Sequence, residues 1–322
     1  MNDRPQRNPR FYRSDDPPPL RLTARDIDIL RLVAKHRLVR STIVLSAISG
    51  SRQNILRRLQ RLYHCQYLDR PRAQIDYYSR GSEPMVYGLG RKGFDAVLGH
   101  TPTLSSIPIA MAGSVKPQFM RHTLLVAEIM QKLERDCAAG GVTLLDEDAL
   151  RGTLAAARAS ADPFAWSVAA TVDGVKRSIG VRPDRALGLA APGGAEALVF
   201  LEADRGTMPV TRSDFEQNSL HKKMLGYYET WRQGQHRSLF GSRRFIVLFA
   251  LENQGRIANA LKASMRFNGG GGSGLFAFAA ARAMAGAENS LCAPIVTGRG
   301  RDATLSELLA SQPVATNPSR WR

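Results

Sequence analysis

The stretch RPDRALGLAAPGGAEALVFLEADRGT, residues 182–207, decides the fold of the second half of the chain. It predicts two strands, over 181–189 and 197–203, because the residues APGG at 191–194 are typical of a tight turn. The second strand is apolar at successive positions, not at alternating ones. That pattern is typical of a central strand that is covered on both faces of a sheet.

Carboxylates stand at the end of this apolar strand. Glu202 and Asp204 point to the same face, because strand side chains alternate. A hairpin centred on Gly193 places Asp184 opposite Glu202, with Cβ atoms about 4.5–5.5 Å apart, where like charges repel. The three acids therefore need a divalent metal, a lysine or a raised carboxyl pKa.

These motifs resemble a known fold and a known family. RPD at 182–184 and EADRGT at 202–207 look like the core of the PD-(D/E)XK nuclease-like fold, and the whole chain resembles the replication-relaxation family of plasmids and other mobile elements. The resemblance spans about residues 20–310 and implies an N-terminal winged helix followed by a degenerate nuclease-like domain. Further residues that carry it are Arg121, His122, Lys222, Lys223, Tyr227 and Tyr228.

The nuclease resemblance implies a metal site, with one departure. Asp184 and Glu202, together with Asp204, would hold Mg²⁺ and be catalytic, but a working nuclease of this fold has lysine where Asp204 stands. An acid there removes positive charge where negative charge develops. Lys222 or Lys223 could replace that lysine, and Lys222 is the catalytic candidate if the domain is active. The alternatives are surface lysines and a salt-bridge network of the acids with Arg182 and Arg205.

Composition indicates an anionic partner. The 322 residues carry a net charge of +17 and 43% apolar residues, which is enough for two modest domains. The first 100 residues hold 19 Lys and Arg against 9 Asp and Glu, a net charge of +10. Three widely spaced cysteines predict neither a disulfide framework nor a zinc site, and favour a reducing cytosol. The sequence contains no apolar run of about 20 residues, so we expect no membrane span.

The predicted fold class is α/β, or α+β taken as a whole. A winged helix-turn-helix domain over 21–100 precedes a nuclease-like α/β domain with a mixed central sheet over 119–310. Residues 1–20 are predicted to be a disordered basic arm, 101–118 a linker and 311–322 a tail.

The first domain shows the helix-turn-helix pattern. Helices are predicted over 23–36, 41–48 and 51–63, with Thr23 as the first N-cap and a glycine turn before the basic third helix. Strands over 67–70 and 84–89 would form a wing. The buried stripes are predicted to be Ile27, Leu30, Val33 and Ala34 on the first helix, and Ile55, Leu56, Leu59 and Leu62 on the third.

The polar face of the third helix is the predicted DNA-binding surface. Arginine can bind guanine in a bidentate way, and asparagine can bind adenine. The alternative is a merely solvated helix face. The candidate DNA-binding residues on this helix and on the wing are Arg52, Gln53, Asn54, Arg57, Arg58, Arg61, Arg72 and Arg80.

The second domain alternates strands and helices. A helix is predicted over 119–137, with His122 on its apolar stripe either as a core residue or reaching the acids. Strands over 142–145, 164–172 and through 179 form an antiparallel meander that leads into the hairpin. The sequence SDFE at 213–216 matches a capping box and predicts a helix from there to 233.

The C-terminal part continues this alternation. A strand over 243–251 and a helix over 256–265 precede GGGGSG at 269–274, read as a flexible loop. That loop lacks the ending of a Walker A motif and predicts no nucleotide site. A short strand over 275–278 and a helix near 279–285 follow.

The function expected from these patterns is sequence-specific binding of double-stranded DNA in a mobile element. It would act in plasmid replication or mobilisation control, or in transcriptional regulation, with a non-catalytic nuclease-like domain. The alternative is a Mg²⁺-dependent endonuclease or nickase that uses Asp184 and Glu202. No cofactor other than that Mg²⁺ is predicted. A homodimer and replication or relaxosome proteins stay open as partners, and the expected location is the cytoplasm, at the nucleoid.

Overall fold

The computed structural model describes residues 10–75, 83–98, 115–153, 162–212, 214–241 and 244–311. The chain divides into two compact units, a first unit over Met1–Ala127 and a second unit over Glu128–Arg322. The predictions for residues 1–9 of the arm, for 101–114 of the linker, for Arg80 in the wing and for 312–322 of the tail concern residues outside the described ones. No described helix is long and apolar enough to cross a membrane.

The first unit combines helices with a small antiparallel sheet. Its strands lie in the order β1-β3-β2, and Val39 pairs with Tyr87 while Leu68 pairs with Leu89. The elements in chain order are α1 (Ala24–His36), β1 (Leu38–Arg40), α2 (Ser41–Ala47), α3 (Arg52–His64), β2 (Leu68–Asp69), β3 (Val86–Leu89) and α4 (Arg91–Val97).

Helix α1 has Thr23 as its N-cap, as the sequence predicts, and the structure adds a full capping box with Asp26. The Thr23 side chain accepts a hydrogen bond from the Asp26 amide, and the Asp26 carboxylate accepts one from the Thr23 amide. Its buried face contains Ile29, whereas the predicted Ile27 is only half-buried. The inward stripe is therefore rotated by part of a turn from the predicted one.

Residues 10–20 of the predicted disordered arm contact the folded part of the first unit. The Arg13 guanidinium donates hydrogen bonds to the carbonyl of Leu68 and to Asp69, and it lies 4.5 Å from the ring centroid of Tyr63. The Ser14 amide donates to Nδ1 of His64 at 3.0 Å. The expectation of disorder is wrong for these residues, because arginine and backbone groups of the arm find partners on α3 and β2.

The second unit is built on a seven-stranded mixed sheet with the strand order β12-β11-β10-β9-β8-β7-β4. Strands β8, β9 and β10 are parallel, and the outer pairs are antiparallel. Its strands are β4 (Thr143–Leu145), β5 (Trp166–Val172), β6 (Val175–Val181), β7 (Arg185–Ala190), β8 (Glu196–Asp204), β9 (Phe245–Leu251), β10 (Phe276–Ala280), β11 (Ile295–Thr297) and β12 (Asp302–Ala303).

Helices accompany this sheet. They are α5 (Pro117–Ala139), α6 (Glu147–Thr153), α7 (Leu220–Arg232), α8 (Gln235–Phe240), α9 (Gln254–Ser264), α10 (Ala281–Gly286) and α11 (Leu305–Ala310). The division between the two units falls inside α5, not in the predicted linker. The start of α5 belongs to the first unit because Met120 and Leu124 pack against Leu38 and Val86. His122 lies half-buried on this segment.

Strand β8 is the central strand that the sequence predicts. Each of its residues after Glu196 is buried, and it lies between β7 and β9. The register pairs Arg185 with Leu201, and Ala191 donates its amide to the carbonyl of Ala195 at 2.8 Å. The hairpin is therefore centred on Gly193, as expected.

Strands β5 and β6 form a separate two-stranded sheet instead of continuing into the main one. Helix α7 packs against this hairpin, and Gly226 is the point of close approach. A Cβ atom at Gly226 would lie 2.7 Å from Cγ2 of Val181, so only glycine lets the helix come this near. The predicted continuous meander is wrong because β6 is held by α7.

Helix α7 begins later than the sequence predicts. Ser219 is its N-cap and accepts a hydrogen bond from the Lys222 amide at 3.1 Å. Glu216 of the predicted capping box instead forms an ion pair with Arg177 of β6. Among the buried residues of α7 are Met224 and Tyr227, whereas Trp231 is 42% exposed.

The glycine-rich segment 269–274 is held in a defined conformation. Asn268–Gly270 form a short 3₁₀ turn, and Gly272 has a φ of +66°. A Cβ atom at Gly272 would lie 2.2 Å from the carbonyl oxygen of Gly298. Glycine is required here by backbone conformation and by contact, and the loop is more constrained than its composition suggests.

Candidate functional site

Helix α3 carries the first candidate surface. Ser51 caps it, and its side chain accepts a hydrogen bond from the Asn54 amide. Ile55, Leu59 and Leu62 face the core of the first unit and are at most 1% exposed. Since these residues repeat at three and four positions, the opposite face of α3 must point to solvent.

The exposed face of α3 holds most of the predicted DNA-binding residues. Its exposed positions are Arg52, Gln53, Asn54, Arg57, Gln60 and Arg61. Gln53, Arg57 and Arg61 follow one another at four-residue spacing, so their side chains form a row along the helix. Gln60, which the sequence reasoning missed, extends this surface, and its three-residue spacing from Arg57 was the available signal.

Arg58 does not belong to this exposed face. Its guanidinium binds the carboxylate of Asp26 through two nitrogens and donates to the carbonyl of Arg21 at 2.8 Å. Asp26 is completely buried at 0% exposure. The prediction that Arg58 shares the exposed face of α3 is therefore wrong, because this arginine neutralises a buried acid 32 residues away.

The pair of Asp26 and Arg58 perturbs both groups. Burial acts to raise the pKa of Asp26, but hydrogen bonds from Arg58 and Thr23 outweigh it, and the net pKa is lowered. The hydrogen bond to Asp26 raises the pKa of Arg58. The ionised carboxylate of Asp26 thus caps α1 and also holds α3 in place through Arg58.

The remaining candidate DNA-binding arginines of the first unit differ in whether they have partners within the protein. Arg61 is exposed and donates to the carbonyl of Pro19 at 3.3 Å. Arg72, in the segment that follows β2, is exposed. Arg52 and Arg57 have no hydrogen bond or ion pair with any described residue, so they are the two arginines of α3 that are available to a ligand.

The second candidate site is the acidic end of β8. Glu202 and Asp204 lie on one face of the sheet, as strand alternation requires, and are 2% and 9% exposed. Asp184 lies just before β7, where its amide donates to the carbonyl of Leu201. The sequence therefore located the three acids correctly with respect to one another.

Glu202 is bound by two residues of α7. Lys223 Nζ lies 2.5 Å from its Oε2, and the hydroxyl of Tyr227 donates to Oε1 at 2.6 Å. Burial raises the pKa of Glu202, and Asp184 raises it further, against the lowering by Lys223. Burial acts to lower the pKa of Lys223, but attraction to Glu202 and Asp184 makes the net pKa higher than usual.

Tyr227 closes this group from the core side. Its ring is completely buried, and burial together with the adjacent Glu202 raises the pKa of its hydroxyl well above the usual value. A neutral tyrosine donating to a buried carboxylate satisfies an acceptor without adding charge. The strand end therefore has one cation and one neutral donor for Glu202.

Asp204 and Asp184 have partners of their own. Arg256 of α9 binds Asp204 through Nε at 2.6 Å, and the Gly206 amide donates to Oδ1 of Asp204 at 3.0 Å. Asp184 accepts a hydrogen bond from the Ala203 amide at 2.8 Å. Arg256, which is remote in sequence, was missed. The predicted network with Arg182 is wrong, because Arg182 pairs with Asp162.

The structure separates the two lysines of the nuclease hypothesis. Lys223, and not the predicted Lys222, reaches the acidic strand end. Lys222 donates to the carbonyl of Glu216 at 3.1 Å and lies over the ring of Phe215. Adjacent positions on a helix differ by about 100° in direction, so only one of them can face the sheet.

The donor set fits a metal ion poorly. Both oxygens of Glu202 and both oxygens of Asp204 already accept hydrogen bonds from cationic, hydroxyl or amide donors. Within the described parts of the chain, no group of three His, Cys, Asp or Glu residues could hold a metal ion. Metal binding by Asp184, Glu202 and Asp204 stays a prediction.

Comparison with known proteins identifies the family. The chain matches the model of the replication-relaxation family over residues 30–241, which is more than half of its length. The chain belongs to the replication-relaxation family. This membership connects it to the replication of plasmids and other mobile elements. No curated protein and no solved structure matches this replication-relaxation protein.

Proposed function

We propose that this replication-relaxation protein binds double-stranded DNA sequence-specifically through the exposed face of α3. Binding of this kind would act in plasmid replication or mobilisation control, or in transcriptional regulation. The observation that carries the proposal is the row of exposed arginine and amide side chains on α3, beside an arginine of the same helix that is paired internally. It is a surface on which cations are kept unpaired.

The order of elements in the first unit supports a winged helix-turn-helix. The unit has, in chain order, a helix, a strand, two helices and two strands, with β3 between β1 and β2, which agrees with the predicted winged helix-turn-helix. In this arrangement α3 is the recognition helix, and its N-terminal residues are the ones that reach base edges. Arg72 would contact the backbone from the wing.

The residue types on α3 suit both parts of DNA recognition. Arg57 can bind guanine through two hydrogen bonds, and Gln53 or Asn54 can bind adenine in the same way. Arg52 and Arg61 add charge that neutralises phosphates, which makes affinity salt-dependent. The amides supply specificity because they carry hydrogen-bonding groups without charge.

The second unit has a supporting, non-catalytic role in this proposal. Asp204 stands at the position where a working nuclease has lysine, and it is neutralised by Arg256. Buried acids that are paired with cations and a tyrosine form a structural network. The nuclease-like domain is then a structural scaffold, in which the acids at the end of β8 are already paired within the protein.

A DNA-retardation experiment tests this proposal. Full-length protein is titrated onto supercoiled and linear DNA that carries its own upstream region, at several salt concentrations. Replacing Arg52 and Arg57 by Gln should weaken specific binding on the order of 100-fold, because a base-reading arginine at 57 contributes about 1–3 kcal/mol and the charge of Arg52 adds attraction to phosphate. Arg31→Gln, which removes one exposed charge from α1, is the matched control. Equal weakening by both changes would contradict recognition by α3.

A metal-dependent nuclease is the second candidate, and the position of Lys223 favours it. This lysine reaches Glu202 from α7 and is 33% exposed, so a cation is present at the acidic strand end. Incubation with supercoiled plasmid in Mg²⁺, Mn²⁺ or EDTA separates the two functions. Nicking that requires metal and disappears in the Asp184→Ala/Glu202→Ala variant would make the protein a nuclease, whereas salt-sensitive retardation without cleavage would leave the DNA-binding proposal standing.

A further inference from the structure

The second unit contains a pocket of about 190 Å³ that the acidic strand end does not line. It lies between the end of α7, the loop before β10, the start of β9 and the turn between β11 and β12. The side chains that give it chemical character are Tyr228, Trp231, Arg244 and Arg299. The backbone of 272–274 forms another wall.

Two aromatic rings form one side of the pocket. Tyr228 and Trp231 are three residues apart on α7, and their ring centroids are 6.1 Å apart. Tyr228 is held in turn by Phe267, at a centroid distance of 4.9 Å. Trp231 is 42% exposed, although it is a large apolar side chain. An exposed indole on a fixed neighbour is a platform on which a planar ligand can stack.

Among the described residues that line the pocket, the charged side chains are two arginines, and none is acidic. Arg244 and Arg299 are both exposed. Arg299 lies beside the glycine loop, since a Cβ atom at Gly274 would be 3.7 Å from its Nε. The site therefore combines a stacking surface with positive charge, which matches an aromatic ligand that carries an anionic group.

The glycine loop is preformed for this purpose. A Cβ atom at Gly298 would lie 2.3 Å from the carbonyl oxygen of Ser273, so the two turns are in direct backbone contact. Ser264 donates a hydrogen bond to the carbonyl of Gly298 at 2.9 Å. A wall that is already ordered reduces the entropy lost on binding.

The volume of about 190 Å³ is enough to enclose one small ring system, such as a single base. Sites for drug-sized ligands usually enclose about 300–1,000 Å³. We propose that this pocket binds one unpaired nucleotide of single-stranded DNA, with the base stacked on Trp231 and the backbone phosphate contacted by Arg299 and Arg244. Bases in a duplex are already stacked and paired, so they cannot enter. Aromatic rings and arginines are the groups that bind single strands without reading sequence.

This inference goes beyond the proposed function and does not depend on it. Duplex recognition uses α3 of the first unit, whereas the pocket belongs to the second unit. It also revises the interpretation of GGGGSG: the loop has no Walker A ending, but its backbone helps to build a different kind of site.

Tryptophan fluorescence gives the first test. Among the three tryptophans of the chain, Trp166 is buried in the second unit, Trp321 lies outside the described residues and the first unit contains none. Titrating the full chain with oligothymidylate should quench the fluorescence saturably, and the quench should persist in Trp321→Phe. No saturable quench, or its loss in Trp321→Phe, would overturn the proposal.

Polarisation of labelled oligothymidylate measures the affinity of variants. It is done in the Arg52→Gln/Arg57→Gln background, so that charges on α3 contribute little. Trp231→Ala should weaken binding about 5- to 150-fold, the range expected for one stacked base, with Arg299→Gln acting in the same direction. Lys262→Gln removes an equal charge from the exposed surface of α9 and should change affinity less than twofold.

Three outcomes would contradict the proposal. Equal weakening by Arg299→Gln and Lys262→Gln would show non-specific attraction. Binding of thymidine monophosphate as tight as that of the oligonucleotide would identify a free nucleotide as the ligand. If the Trp231→Ala variant has the melting temperature of the parent and binds the oligonucleotide as tightly, Trp231 is not the residue on which a base stacks. Duplex retardation that depends on Arg52 and Arg57 is measured separately, so each proposal can fail alone.

Discussion

Helix α3 and the acidic end of β8 use arginine and lysine in opposite ways. On α3, Arg52 and Arg57 are exposed with no partner among the described residues, whereas at β8 Lys223 and Arg256 each bind a nearly buried carboxylate. Unpaired cations keep their full attraction for phosphate, whereas the charge of the paired cations is neutralised by carboxylates of the same protein. The net charge of +17 therefore includes basic side chains with different roles: those on α3 are open to an anionic ligand, and those at β8 neutralise acids of the fold.

The largest expected effect concerns the adjacent residues Arg57 and Arg58, of which the first is exposed and the second is paired with Asp26. Arg58→Gln should lower the free energy of unfolding by about 2–4 kcal/mol, because it leaves buried Asp26 without its cation. Arg57→Gln should change it by less than about 0.5 kcal/mol, since an exposed side chain is lost. Urea denaturation of both variants measures this. Similar stabilities would mean that Arg58 is not the internal partner of Asp26.

The next effect concerns Lys223 and depends on pH. Lys223→Met should cost about 1–3 kcal/mol, reduced from a fully buried pair because the lysine is partly exposed. The pKa of Glu202 is already raised by burial, so the folded state binds its proton more tightly than the unfolded state. Stability is therefore lost as pH rises from the ordinary value of 4.5 through the folded pKa, and the variant should lose more.

The control for Lys223 is the double variant Glu202→Gln/Lys223→Met. This variant removes both charges, so its stability should not show the additional loss with rising pH that is expected for Lys223→Met alone. Thermal melts between acidic and alkaline pH follow the change. A Lys223→Met variant with a pH profile parallel to that of the parent would show that Glu202 does not depend on this lysine.

A third effect comes from Asp26. Its pKa is lowered overall, because hydrogen bonds from Arg58 and Thr23 outweigh the effect of burial. Its stabilising contribution is therefore present above its ordinary value of 3.8 and is lost as pH falls through the folded pKa. Asp26→Asn should lower the free energy of unfolding by about 1.5–2 kcal/mol at neutral pH, at the lower end of the range for hydrogen bonds to charged groups. The free energies of unfolding of the variant and the parent should become more similar at acidic pH. A difference that does not change with pH would argue against an ionised Asp26.

The smallest effect is expected at an exposed pair. Arg177 and Glu216 are 36% and 73% exposed and form an ion pair between β6 and the segment before α7. Arg177→Gln should change stability by less than about 1 kcal/mol, because surface pairs contribute little. Urea denaturation in low and high salt checks this. A loss as large as that of Arg58→Gln would erase the distinction between buried and exposed pairs.

The hairpin and the acids could be predicted from sequence because their determinants are local. The turn at Gly193 and the two-residue period of strands fix which residues of β7 and β8 oppose each other. The α/β class followed from the alternation of strands and helices. The exposed face of α3 was mostly correct, because its apolar residues have a clear helical period.

The partners of the acids could not be predicted because they are distant in sequence. Arg256 lies 52 residues after Asp204, and Asp26 lies 32 residues before Arg58. Lys222 and Lys223 differ only in direction, and that direction depends on packing against the sheet. The start of α7 was also predicted too early. Glu216 of the capping-box pattern at 213–216 forms an ion pair with Arg177, and Ser219 is the N-cap of the helix.

The close approach of α7 to the β5–β6 hairpin has an evolutionary consequence. A side chain at Gly226 would overlap Val181 and approach Ile179 to 3.1 Å. Any lineage that replaces this glycine must first acquire a smaller residue at 181, or lose the docking of the hairpin. We therefore expect the three positions to vary together among relatives, and a Gly226→Ala protein to regain its stability when Val181→Ala is added.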